Sequence, residues 1–148
     1  MNNKDKEREL AECGLKFCGF FICNSPLKAD TFKNIQNLQK AKYKLLIITG
    51  DNILTAIKVG LTLKLGEKAW IVECENNKVL LDKDDGEGQF EIKSPNELKT
   101  LISKADSKIL LSTSSSKFLA PEYFPLIQIF ARTSPHDKEV IIKKIKEI

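Results

Sequence analysis

Two short stretches gather the residue types that phosphate chemistry uses. In KLLIITGDNILTA (44–56) an apolar run halts at Thr49-Gly50-Asp51-Asn52 and resumes with helical spacing. In LIQIFARTSPHDK (126–138) a second apolar run ends at Arg132-Thr133-Ser134-Pro135 and leads into Lys138. A hydroxyl, free backbone N–H groups and a helix start suit an anion, and a lysine in the first turn adds a point charge. Each residue also has a plainer reading. Thr49 can simply end a strand, and Asp51 or Asn52 can simply cap a helix. Lys138 can be one solvated lysine among many, and Arg132 can pair with any acidic neighbour. Composition and spacing alone stop at an α/β domain in which a phosphate site is one option.

The elements that would carry these loops follow from periodicity. FCGFFIC (17–23) lies in an apolar stretch that predicts a buried strand over about 15–23. SPLKAD turns the chain, Pro26 stops the strand and Asp30 is placed to cap a helix over about 30–41, with Phe32, Ile35 and Leu38 on one face. KLLII reads as a strand covered on both faces, and Leu54, Ile57, Leu61 and Leu65 mark the next helix. This β-α-β-α order suits right-handed parallel crossovers, hence an α/β sheet sandwiched by helices. AWIVEC and KVLL form a hairpin about 75–77, and 82–89 is a polar loop expected to be mobile. SPNELKTLISKA and SPHDKEVIIKKIKEI both open with a Ser cap followed by Pro. KILLST (108–113) and LIQIFA (126–131) are further strands, with an SSSK turn and a short helix between them.

Composition narrows the class. The 148 residues are 42% hydrophobic and 30% charged, enough for one domain with a real core. The net charge of +4 is carried by scattered lysines, with Arg8 and Arg132 the only arginines, so nucleic acid is not an expected partner. Cys13, Cys18, Cys23 and Cys74 lack CxxC spacing, and the single histidine, His136, is remote from the first three. Buried reduced thiols are expected instead of a zinc site. No apolar stretch is long enough to cross a bilayer, and no leader for secretion opens the chain.

Three motifs in order resemble a known family. ITGDNILTA is similar to the Thr-Gly-Asp-Asn signature of P-type ATPases, whose phosphorylation domain has the haloacid-dehalogenase fold. IFARTSPHDKEVIIKKIKE resembles the later Phe-Ala-Arg, Ser-Pro and Lys segment, and PLK matches a third position. CGFFICNSPLKAD looks most like the type-five subgroup, and within it the endoplasmic-reticulum A branch. The likeness is good over 15–66 and 126–148 and looser over 67–125. Ile53 stands where that branch has Pro, and STSSSKF replaces a second Thr-Gly-Asp-Gly-like stretch.

The resemblance implies a Rossmann-like, three-layer α/β fold with a mainly parallel sheet, in which 1–14 is a polar edge, 15–148 a partial phosphorylation domain and 67–125 a variable insertion. It gives Thr49 and Lys138 catalytic roles, binding the transferred phosphoryl group together with the Gly50 N–H. Asp51 and Asn52 would organise the hinge and nucleotide edge, and Arg132 would lie near the nucleotide. The family's nucleophilic Asp-Lys-Thr-Gly-Thr and its metal-binding Gly-Asp-Gly-x-x-Asn-Asp have no counterpart here. The chain is therefore expected to be an inactive piece of a larger pump, without its nucleophile strand or its own metal site. ATP and Mg2+ would serve the parent, none held tightly by this chain, whose partners would be ATP and the nucleotide-binding, actuator and transmembrane domains of the same polypeptide. The parent would sit in the endoplasmic-reticulum membrane with this domain on the cytosolic side, touching the membrane only through other segments. A soluble haloacid-dehalogenase phosphatase fragment and a non-catalytic phosphate-binding module are the alternatives.

Overall fold

The computed structural model describes residues 10–23, 26–83 and 88–147. Among these residues six strands form one sheet in the order β1-β6-β5-β2-β3-β4. They are β1 (Ile47–Ile48), β2 (Lys68–Glu75), β3 (Lys78–Lys83), β4 (Gln89–Ile92), β5 (Ile109–Thr113) and β6 (Ile129–Phe130). β1, β6, β5 and β2 run parallel, whereas β3 and β4 are antiparallel additions. The helices described from end to end are α1 (Thr31–Lys40), α2 (Ile53–Thr62), α3 (Pro95–Ser103) and α4 (Pro135–Lys146), with a 3-10 turn at Pro121–Leu126; residues 10–12 are also helical. Residues 67–125 supply β2 to β5 and so are integral to the sheet.

Alternation along the parallel strands builds two cores. Leu111, Phe130, Trp70 and Val72 face α3, α4 and the 3-10 turn, where Phe124 and Phe130 pack with ring centroids 5.3 Å apart. Leu110, Ile129, Ala69 and Ala131 face α2, with Ile35 of α1 packed at the margin. The result is three layers: helices, mainly parallel sheet, helices. At the hairpin, Asn76 and Asn77 both take positive φ (50° and 61°), the backbone a two-residue turn needs.

Several expectations are corrected. The apolar stretch at 15–23 forms no strand: its described residues are exposed, Phe21 to 93%. A strand exists only by pairing, and no described segment pairs with it. The thiols are likewise not buried, for Cys13, Cys18 and Cys23 lie on or beside that exposed stretch and Cys74 is half-buried. KLLII contributes only Ile47 and Ile48 to the sheet, half-buried because β1 is an edge strand. The buried side of α2 is Ala56, Ile57 and Gly60, while Leu54 is 66% exposed. Asp30 does not cap α1 with its side chain, since its backbone is already helical (φ −89°, ψ −12°). The expected loop at 82–89 overlaps β3 and β4, and its centre, 84–87, lies outside the described residues.

Close packing around Leu110 sets the distance between helix and sheet. A Cβ on Gly60 would come within 2.7 Å of the Leu110 Cδ2 atom. One on Gly66 would lie 2.6 Å from Leu110 Cβ and 3.0 Å from its backbone nitrogen. A flexible side-chain tip can yield, but backbone in a central strand cannot. Gly66→Ala is therefore expected to cost about 1–3 kcal/mol, lowering Tm by roughly 3–10 °C in a thermal melt. An unchanged Tm would show that the turn after α2 yields freely.

Candidate phosphoryl site

Parallel strands deliver their following loops to one end of the sheet, where ligands of open α/β folds bind. Here the loops after β1 and β6 are tied together. The Thr49 carbonyl accepts two hydrogen bonds from Thr133, one from its backbone N–H (3.0 Å) and one from its hydroxyl (2.8 Å). The Thr49 N–H donates to the Phe130 carbonyl (2.9 Å), and the Arg132 N–H to the Asp51 carbonyl (3.0 Å). Arg132 reaches that carbonyl by adopting a left-handed backbone, φ +54°.

Within the first loop, Thr49 and Asp51 close a small ring. The Thr49 hydroxyl donates to Asp51 Oδ2 (2.9 Å) and accepts from the Asp51 N–H (3.1 Å). Asn52 is the helix cap, its side chain accepting from the Leu54 N–H at 2.9 Å. The Gly50 N–H has no hydrogen-bond partner among the described residues, and Gly50 is exposed. A Cβ there would meet the Thr133 carbonyl oxygen at 3.4 Å, ordinary contact, so the bare N–H is the distinctive feature of this glycine.

The second loop builds the head of α4. Ser134 and Asp137 form a reciprocal capping box: Asp137 Oδ2 accepts from the Ser134 N–H (2.8 Å) and hydroxyl (2.6 Å), and Ser134 Oγ accepts from the Asp137 N–H (3.2 Å). These bonds, led by the Ser134 hydroxyl, hold the Asp137 carboxyl below the usual carboxylate range, with Lys117 at 3.3 Å helping. Lys138 follows in the first turn, half-buried, its ammonium group without an ion-pair or hydrogen-bond partner among the described residues. The Arg132 side chain is exposed and likewise unpartnered among them.

All six residues singled out in the sequence thus lie at the carboxyl end of β1 and β6. A third loop, after β5, joins them and was read in the sequence only as a polar turn. Glu73 of β2 accepts from the Ser114 N–H (3.1 Å) and hydroxyl (2.8 Å) and from the Ser115 hydroxyl. Neither Glu73 nor the clamping role of Thr133 carries a local signal, because their partners are 41 and 84 residues away. A separate hollow of about 240 Å³, lined by Tyr43, Lys44, Lys108 and Gln128 among others, opens at the opposite end of the strands. Among the described residues no three His, Cys, Asp or Glu side chains gather as a metal site.

The capping box has measurable consequences. Ser134→Ala should cost about 1 kcal/mol in chemical denaturation. A carboxylate whose pKa falls on folding stabilises above its unfolded value, and that contribution disappears as pH drops through the folded one. Asp137→Asn should therefore be less stable than the parent chain at pH 7, with the gap closing below about pH 4. A gap independent of pH would assign the loss to shape and not to charge.

No family model matches the chain. It is 31% identical over 150 residues to the endoplasmic reticulum transmembrane helix translocase of Schizosaccharomyces pombe, covering 96% of this chain and 12% of that protein. It is 28% identical over 161 residues to the probable manganese-transporting ATPase PDR2 of Arabidopsis thaliana, covering 98% of this chain and 13% of that one. Over 67 residues, 45% of this chain and 4% of the relative, it is 40% identical to the vacuolar cation-transporting ATPase YPK9 of Saccharomyces cerevisiae. The chain thus spans about an eighth of the length of the first two. With relatives of one kind aligned along nearly its whole length and the Thr49 and Lys138 loops joined at one end of the sheet, the chain belongs to the P-type ATPases of type five.

Proposed function

We propose that residues 15–148 are part of the phosphorylation domain of an ATP-hydrolysing membrane transporter that works through an aspartyl-phosphate. The observation that carries this reading is the double hydrogen bond from Thr133 to the Thr49 carbonyl, which joins the hydroxyl loop to the helix bearing Lys138. Phosphoryl transfer asks a protein mainly for positioning and charge stabilisation. Thr49 donates a hydrogen bond from its hydroxyl to a phosphoryl oxygen in place of the one to Asp51, and the Gly50 N–H supplies a second donor. Lys138 neutralises charge on the transferred group. Asp51 and Asn52 hold the loop against α2 at the hinge edge, and Arg132 extends toward the nucleotide. The attacking carboxylate belongs to a segment outside this chain, so the chain alone turns over no ATP.

Magnesium, which the family implies, finds no donor set among the described residues, and no step here runs through it. The names of three relatives favour a parent in the endoplasmic-reticulum membrane, with this domain on the cytosolic side. No described helix is long and apolar enough to cross a membrane. The remaining domains and ATP are its partners. What is moved, a cation or a membrane helix, is decided outside this chain.

In the full-length protein, Lys138→Ala is expected to reduce ATPase kcat by at least about a hundredfold, with circular dichroism unchanged. Thr49→Ala should lower kcat similarly, while Thr49→Ser, which keeps the hydroxyl, should recover most of it. Normal turnover in Lys138→Ala would refute the assignment. The isolated chain should take up no label from radiolabelled ATP, and clear autophosphorylation would overturn the expected inactivity.

A further inference from the structure

Glu73 stands in β2, two strands away from β6 and three from β1, yet its carboxylate organises the third loop of this end of the sheet. It is half-buried and takes three donors: the Ser114 N–H, the Ser114 hydroxyl and the Ser115 hydroxyl. Such charge-assisted bonds are about twice as strong as neutral ones. The pinned loop is continuous with the phosphoryl loops. Thr113 Oγ1 accepts from the Ser115 N–H (3.1 Å), and the Thr113 carbonyl accepts from the Ala131 N–H (2.8 Å). Ala131 immediately precedes Arg132, whose N–H bonds the Asp51 carbonyl, and Thr133, which clamps Thr49. Thr113, Ala131 and Thr133 are all buried, so this route is shielded from water. We infer that Glu73 is a positioning residue for phosphoryl transfer, fixing the 114–117 loop and, through the Thr113–Ala131 bond, the seat of Arg132 to Lys138.

A second route runs through Lys117, which meets Asp137 at 3.3 Å. That lysine is 62% exposed, and exposed ion pairs contribute little. The buried backbone route therefore dominates.

The inference rests on the phosphoryl-site reading above, and the test separates the two. In the full-length protein, hydrogen exchange is followed by mass spectrometry alongside ATPase kinetics. Glu73→Ala should speed exchange about tenfold or more in peptides spanning 112–118 and 130–137. It should also lower kcat roughly ten- to a hundredfold, with KM for ATP little changed. Glu73→Gln keeps a carbonyl acceptor for the Ser114 N–H and should restore most of both. If Glu73→Ala fails to fold, the Ser114→Ala/Ser115→Ala double variant removes the hydroxyl contacts from the loop side and should show the same pattern more weakly. Lys117→Ala should leave kcat within about twofold. Faster exchange confined to 112–118 would overturn the inference, as would a larger loss in Lys117→Ala than in Glu73→Ala. Normal kcat in Glu73→Ala with Lys138→Ala inactive would remove Glu73 alone from the mechanism. Normal kcat in both would remove the phosphoryl-site reading itself.

Discussion

The Thr49 carbonyl, held by both the N–H and the hydroxyl of Thr133, is the constraint on which the candidate site's end of the sheet depends. A two-residue edge strand has little cross-strand bonding of its own, so β1 would give its loop a poorly defined exit. Thr133 is buried, and its hydroxyl and N–H both find the one oxygen that ends β1. The left-handed Arg132 makes that possible by turning the chain between Ala131 and Thr133, at the cost of about 1–2 kcal/mol of backbone strain. That strain is offset by the Arg132 N–H bond to Asp51 and by the capping box that starts α4 directly afterwards.

Packing beneath the site is tight at the points where loops originate. Leu110, at the centre of the sheet, touches the positions that a Cβ of Gly60 or Gly66 would occupy, so α2 lies close against β5 and β6. The helix that follows Asn52 is thereby fixed relative to the strand that precedes Arg132. On the opposite face, Phe124 and Phe130 support β6 from the α4 side. The Thr49 hydroxyl, by contrast, is held only within its own loop, by the Asp51 carboxylate and N–H, and by nothing from the sheet. Rigid origins and a locally held hydroxyl suit the role proposed above for Thr49 in binding a phosphoryl group.

Much of the arrangement was legible in the residues. Ser94 and Ser134 before Pro, with Glu97 and Asp137 at the third position, announce helices whose caps form as expected. The hairpin turn at Asn76-Asn77 and the strand in KILLST were equally direct. The illegible parts share a cause. An apolar run becomes a strand only if another strand offers its backbone, and for 15–23 none among the described residues does. Helical spacing marks a face, but which stripe is buried depends on where the sheet lies; hence Ala56 and Gly60 are covered while Leu54 is not.

By itself, then, the sequence determined the local chemistry: two strand-end loops rich in hydroxyl and backbone donors, a lysine one turn into a capped helix, and motif order enough to indicate the family. These features are encoded over a few residues, because caps, turns and periodicity are short-range properties. Only the tertiary structure decided that Thr133 clamps Thr49, that Glu73 pins the serine loop, and that β1 lies at an edge with its apolar residues half-covered. Those outcomes join residues 41 to 84 positions apart, or depend on which strands lie side by side. Hydrogen bonds and burial at such separation are set by the packing of whole elements, which no local pattern of side chains contains.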